Sequence, residues 1–117
     1  MTVFVLSPIE IDGVAIHSLD PGTTLIVKTF NSQYRLIILL NRSVVLVTGG
    51  AAFPDATVVQ FAGAVAGGTT VRVGWIQVGC KMEMWDGNRR VTSSPVCSIV
   101  IERVPVVPCR RPCRSTT

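Results

Sequence analysis

Charge is scarce in this chain. Only 15% of its 117 residues are Asp, Glu, Lys or Arg, while 48% are apolar; an average globular protein carries about 25% charge. Disordered segments are poor in hydrophobic residues and rich in net charge, so this balance excludes disorder for most of the chain. No run of about 18 apolar residues occurs, and no membrane-spanning helix is predicted. Met1-Thr-Val-Phe-Val-Leu6 lacks a basic start, and its apolar stretch stops at Ser7-Pro8. No signal peptide is therefore expected, and the expected location is cytoplasmic. No stretch of ten or more residues combines a helical period with caps, so helices are not predicted either.

What charge there is lies unevenly. Up to Val107 there are eight basic and seven acidic residues, a net of +1; Arg110, Arg111 and Arg114 supply the other +3 of the total +4. The length fits one domain. We divide it into an all-β domain, residues 1–104, and a basic tail containing Pro and Cys, residues 105–117. Three Pro in Val104-Pro-Val-Val-Pro-Cys-Arg-Arg-Pro112 forbid a central strand there, so the tail is expected to be extended.

The body reads as strands. Val, Ile and Thr recur in runs of four to eight residues, separated by Gly, Pro, Asn or Asp. Candidate strands are 3–6, 9–11, 14–17, 24–30, 34–40, 43–48, 57–62, 69–77, 80–85, 89–92 and 95–103, some of which should merge or drop out. The fold class is all-β: a small antiparallel barrel or a two-sheet sandwich of six to nine short strands, mostly in meander order. Asp12-Gly13 and Asp86-Gly87-Asn88 are hairpin signals. With Asp86-Gly87 as the loop, Glu83 faces Arg90; with Gly87-Asn88 as the loop, Met84 faces Val91 and Trp85 faces Arg90. Alternation then assigns faces. Cys80, Met82 and Met84 should point inward, as should Cys97, Ile99 and Ile101. Val71, Val73 and Trp75 share a face, which makes Trp75 a predicted core residue; Phe4 and Phe61 are expected in the core too. Trp85 falls on the polar face with Lys81 and Glu83. Segment 49–68 is rich in Gly and Ala, with a turn at Phe53-Pro54-Asp55, a strand near 57–62 and loop elsewhere.

Two runs break the alternation. Leu36-Ile37-Ile38-Leu39-Leu40 and Val44-Val45-Leu46-Val47 are apolar on both faces, with a tight turn at Asn41-Arg42 between them. A small sheet with one solvated face should alternate. A hairpin apolar on both sides needs a second cover: a folded-over loop such as Gly49–Pro54, a second copy, or a larger protein. The mean hydropathy of +0.49 points the same way. Leu36, Ile37, Ile38, Leu39, Leu40, Val44 and Val45 are thus the candidate interaction surface.

The remaining chemistry is thin. Seven carboxylates are scattered, and Asp12, Asp20, Asp55 and Asp86 read as turn formers. The single histidine, His17, stands before Ser18 and Asp20 in sequence, but a triad must converge in space. There is no Gly-x-Ser-x-Gly elbow and no phosphate loop; Gly63-Ala-Val-Ala-Gly-Gly68 lacks the Lys. No enzyme activity, cofactor or small-molecule substrate is expected. Cys80 and Cys97 read as buried, reduced thiols. Cys109 and Cys113 could supply two corners of a zinc site, with Cys80, Cys97 and His17 as candidates for the others, but plain thiols or a tail disulfide are the simpler expectation. Single-stranded nucleic acid is the alternative partner. Tyr34, Arg35, Trp85, Arg89 and Arg90, with Arg110 and Arg111 from the tail, could form a basic stacking patch. The competing expectation is a Trp85–Arg90 cross-strand pair on a solvated face.

Several short clusters carry a resemblance. They are Asn31-Ser-Gln-Tyr34-Arg-Leu36, Val45-Leu-Val47-Thr-Gly49-Gly50, Phe53-Pro54, Gly67-Gly68, Gly74-Trp-Ile76, Val78-Gly79, Arg90-Val91, Thr92-Ser-Ser-Pro95-Val96 and Ser98-Ile99. On these, residues 31–101 resemble a group of small bacterial all-β proteins of uncharacterised function. The resemblance implies the fold class and assigns no ligand, cofactor or site residue. The function expected from the residues is a non-catalytic interaction or assembly module that self-associates or docks on a protein partner.

Overall fold

Branched side chains such as Val, Ile and Thr suit extended backbone, and among the described residues they fall in eleven strands. The computed structural model describes residues 8–41 and 43–103. The strands are β1 (Ile9–Ile11), β2 (Gly13–Ala15), β3 (Thr24–Thr29), β4 (Gln33–Ile38), β5 (Val44–Gly49), β6 (Phe53–Ala66), β7 (Thr69–Val73), β8 (Trp75–Gln77), β9 (Lys81–Asp86), β10 (Arg89–Thr92) and β11 (Val96–Arg103). A 3-10 turn at Ile16–Ser18 is the one helical element among the described residues. The predicted strand 3–6, Phe4 and the tail 105–117 lie outside them.

The architecture is all-β and antiparallel. Nine strands form one sheet in the order β1-β11-β3-β4-β5-β6-β9-β10, with β7 also paired to β6, and β2 pairs with β8 in a separate ribbon. The barrel alternative is not realised, because the sheet does not close; the sandwich alternative fits. The inner faces meet in one core that draws Leu25 and Val27 from β3, Leu36 and Ile38 from β4, Val45 and Val47 from β5, Val59 and Phe61 from β6, Ile76 from β8, Met82 and Met84 from β9, and Ile99 from β11. Eleven strands exceed the expected six to nine, partly because the run 69–77 divides. Gly74, at φ 73°, breaks it into β7 and β8.

Local chemistry sets each reversal. Asn41 Oδ1 accepts hydrogen bonds from the Ser43 N–H (3.2 Å) and hydroxyl (2.9 Å), which shapes the β4–β5 hairpin. Gly67 and Gly68, at φ 60° and 79°, give the paired positive angles of a type I′ turn between β6 and β7. At β9–β10, Trp85 stands opposite Arg90 and Met84 opposite Val91, so the loop is Gly87-Asn88. The β3–β4 turn is closed by Thr29, whose hydroxyl accepts from the Ser32 N–H at 3.1 Å.

β6 organises the molecule. Its first half pairs with β5, its second half with β7, and its other edge takes β9. One edge can serve two strands because β6 is 14 residues long: β5 takes residues 53–60 and β7 takes residues 63–66, while the β9 ladder on the other edge shifts register between Phe61 and Gly63. Gly63 sits at φ 146°, and a Cβ there would collide with the Arg72 carbonyl oxygen.

Several expectations are corrected. Segment 49–68 is mostly strand, because small Gly and Ala side chains let β6 lie between two partners. Phe53-Pro54-Asp55 is the start of β6 rather than a turn; the register shifts between Gly49↔Phe53 and Val47↔Thr57, so the missing Pro54 N–H falls where the β5 ladder is interrupted. Asp12-Gly13 is not a hairpin loop: β1 pairs with β11 and β2 with β8. Trp75 is half-buried rather than core, since Gly74 removes it from the β7 alternation and Arg72 lies over its ring. Cys97 is exposed and Cys80 half-buried. The register shifts between Val96 and Ser98, which turns Cys97 outward while Ile99 stays in the core.

Candidate functional site

The outward positions of β3–β6 follow directly from pairing. Leu36 is opposite Val47 and both are fully buried, so their neighbours must face the other way. On that outer face Ile37, Leu46 and Val58 stand opposite one another across β4, β5 and β6. Ile26 on β3 lies beside them, opposite Val100 of β11. Ile26, Ile37, Leu46 and Val44 are half-buried, while Val58 remains 56% exposed. None of these belongs to the core or to the residues packed against it.

The candidate interaction residues thus split by face. Leu36, Ile38 and Val45 are core. Ile37 and Val44 are on the outer side, Leu39 is half-buried, and Leu40 is 90% exposed at the hairpin end. The hairpin is one-sided in its burial, and the Gly49–Pro54 segment, one of the alternative covers, sends Phe53 into the core with no exposure rather than over this face. Sequence reasoning missed Ile26 and Val58, and it left Leu46 off the candidate surface although Leu46 lies in the Val44–Val47 run. The signal was present in Leu25-Ile26-Val27 and Val58-Val59, two further runs that break alternation.

The face continues onto β9. A shallow recess of about 270 Å³ is lined by Val44, Val58, Val59, Gln60, Trp85 and Gly87. Trp85 is opposite both Gln60 and Arg90 and donates from Nε1 to Glu83 Oε2 at 3.1 Å, which holds the ring against the sheet. On the opposite flank, Arg35 Nη2 reaches Glu102 Oε1 at 2.9 Å. β4 and β11 are both neighbours of β3, so this ion pair spans β3 on the side of Ile26. Being exposed, it contributes little stability.

The nucleic-acid patch does not assemble as expected. Tyr34 is 6% exposed, on the core side of β4. Arg35 is committed to Glu102. Arg89 and Arg90 are consecutive and point to opposite faces; Arg89 bonds Asp86 at 3.2 Å and lies 5.7 Å from the Phe53 ring centre. Only Trp85 and Arg90 remain together, near Lys81 and Glu83. Arg110 and Arg111 lie outside the described residues, as do the candidate zinc ligands Cys109 and Cys113. Among the described residues no group of three or more His, Cys, Asp or Glu is placed to hold a metal, and no helix is long and apolar enough to cross a membrane. No family model, no characterised protein and no solved structure matches this chain.

Proposed function

We propose that this protein is a non-catalytic interaction module that docks, on a second copy or on a larger protein partner, through the outer face of β3–β6. One observation carries the reading. Ile37, Leu46 and Val58 form a continuous apolar row, flanked by Ile26 and Val44, on the side of the sheet that the core does not use. Contiguous exposed apolar surface rimmed by polar groups marks interaction sites. Four strands about 4.8 Å apart make this band about 15 Å across; a patch about 15 Å square offers about 200 Å², well under the about 800 Å² per partner of a standard interface. Association is therefore weak, and it is sought at tens to hundreds of micromolar. A cytoplasmic setting suits the free Cys80 and Cys97 thiols.

Multi-angle light scattering over that concentration range tests the self-association form. Wild type should gain mass with concentration, and Ile37→Asp should lose it. A concentration-independent monomer removes self-association; a monomer that also fails to capture a partner in an Ile37-dependent manner removes the whole reading. A second reading, single-stranded nucleic acid, is favoured only by Trp85 standing 37% exposed opposite Arg90. It requires binding that falls steeply with salt and weakens in Arg90→Ala.

A further inference from the structure

We propose that the partner of the outer face is an extended acidic segment of another protein, with an apolar side chain seated against Trp85 and a carboxylate held by Arg90 and Lys81. This rests on the proposed docking function and names the partner. Alternation places Lys81, Glu83 and Trp85 on one face of β9, and pairing sets Gln60 of β6 and Arg90 of β10 on either side of Trp85. Gln60 in turn stands opposite Val44, so this strip continues the apolar row of Ile37, Leu46 and Val58. That row alone falls well short of a standard interface, and the strip beside it supplies further contact.

The strip holds two shallow recesses of about 270 Å³ each. The first lies among Val44, Val58, Gln60 and Trp85 and is largely apolar. Trp85 is 37% exposed, and its Nε1–H donates to Glu83 Oε2 at 3.1 Å. Among the described residues no cation lies over its ring, unlike the rings of Trp75 and Phe53. A ring fixed at its polar edge, with free surface on its face, suits an aliphatic or aromatic side chain. The second recess lies among Val65, Lys81, Glu83, Arg90 and Thr92. Arg35 and Arg89 are paired with carboxylates, whereas among the described residues Lys81 and Arg90 are not. Two cations less the one carboxylate, Glu83, leave this recess with a net +1.

Spacing and charge select the occupant. β9 rises about 3.3 Å per residue, so Trp85 is about 7 Å from Glu83 and about 13 Å from Lys81. Side chains two to four residues apart in an extended segment span the same distances. A single carboxylate matches the net charge, and the Arg90 guanidinium can grip it through two N–H groups. A second copy docked about a two-fold axis on this strip would set Arg90 and Lys81 against the same cations. Single-stranded nucleic acid needs a basic groove and successive stacking rings, whereas this strip has one ring and a carboxylate beside its two cations. A free small acid would find too little enclosure, since ligand pockets bury most of their ligand. A segment that runs on over Val58, Leu46 and Ile37 gains the rest of its contact there.

Selection of a random peptide library on the full chain tests this. Enriched peptides should carry Asp or Glu two to four positions from a large apolar residue. The most enriched peptide, synthesised and titrated by fluorescence anisotropy, should bind about tenfold more weakly to Arg90→Glu, because an attraction becomes a repulsion. Trp85→Ala should weaken it by about tenfold or more. Both residues are exposed, so both variants should keep the wild-type far-UV spectrum. A selection without acidic enrichment, peptide binding indifferent to Arg90→Glu, or tighter binding of an oligothymidylate overturns the proposal. Ile37→Asp separates it from the docking reading. Association lost in Ile37→Asp but unchanged in Arg90→Glu keeps the docking face and overturns the acidic partner. Peptide binding lost in Arg90→Glu but unchanged in Ile37→Asp supports the acidic partner and counts against the Ile37 row.

Discussion

Ile37 and Ile38 are consecutive on β4, chemically identical, and face opposite sides of one sheet, so the pair isolates what each side contributes. Ile38 is 1% exposed in the core. Replacing a buried Ile by a smaller residue costs about 2–5 kcal/mol. Asp adds the cost of a buried polar group without a partner, about 1–3 kcal/mol even when it protonates to avoid the full charge penalty. The total, about 3–8 kcal/mol, is comparable with the whole stability of a small domain, about 5–15 kcal/mol. Ile38→Asp should therefore leave the chain largely unfolded or shift its urea midpoint sharply downward. Ile37 is half-buried on the outer face and gives up mainly strand propensity and flank contacts, about 1 kcal/mol. Ile37→Asp should fold with a near-native far-UV spectrum and lose association instead. The assay is urea unfolding followed by circular dichroism, with light scattering on the same samples. Equal destabilisation by the two substitutions would mean that the chain encloses both sides of the hairpin, and the docking reading would lose its basis.

Three further outcomes follow from single contacts. Ser93 is 5% exposed, and its hydroxyl accepts the Met82 N–H at 2.9 Å while donating to the Ser94 carbonyl at 2.7 Å; Ser93→Ala should cost about 1–3 kcal/mol in chemical denaturation, because it strands a buried N–H. Gly49 has φ 132°, and a Cβ would strike the Gln33 carbonyl oxygen, so Gly49→Ala should destabilise by about 1–3 kcal/mol, and a neutral result would contradict the tight β4–β5 approach. Native iodoacetamide labelling with peptide mapping should modify exposed Cys97 before half-buried Cys80; the reverse order would refute the outward turn at the start of β11.

The strands were legible because alternation and turn residues act locally. Met82 and Met84 inward with Trp85 outward, and the Leu36–Val47 hairpin with its Asn41 turn, could be read from a few neighbouring residues. What could not be read depends on pairing with distant strands. The Val96–Ser98 slip that exposes Cys97 is set by β3, some seventy residues earlier in the chain. The separation of Trp75 from β7 depends on Gly74 taking a positive φ where Ile16 donates to its carbonyl at 2.9 Å. For the candidate face, the unbroken apolar runs identified the hairpin. They did not show which of two equally apolar sides was spent on the core, and they overlooked Ile26 and Val58, whose membership requires the sheet order.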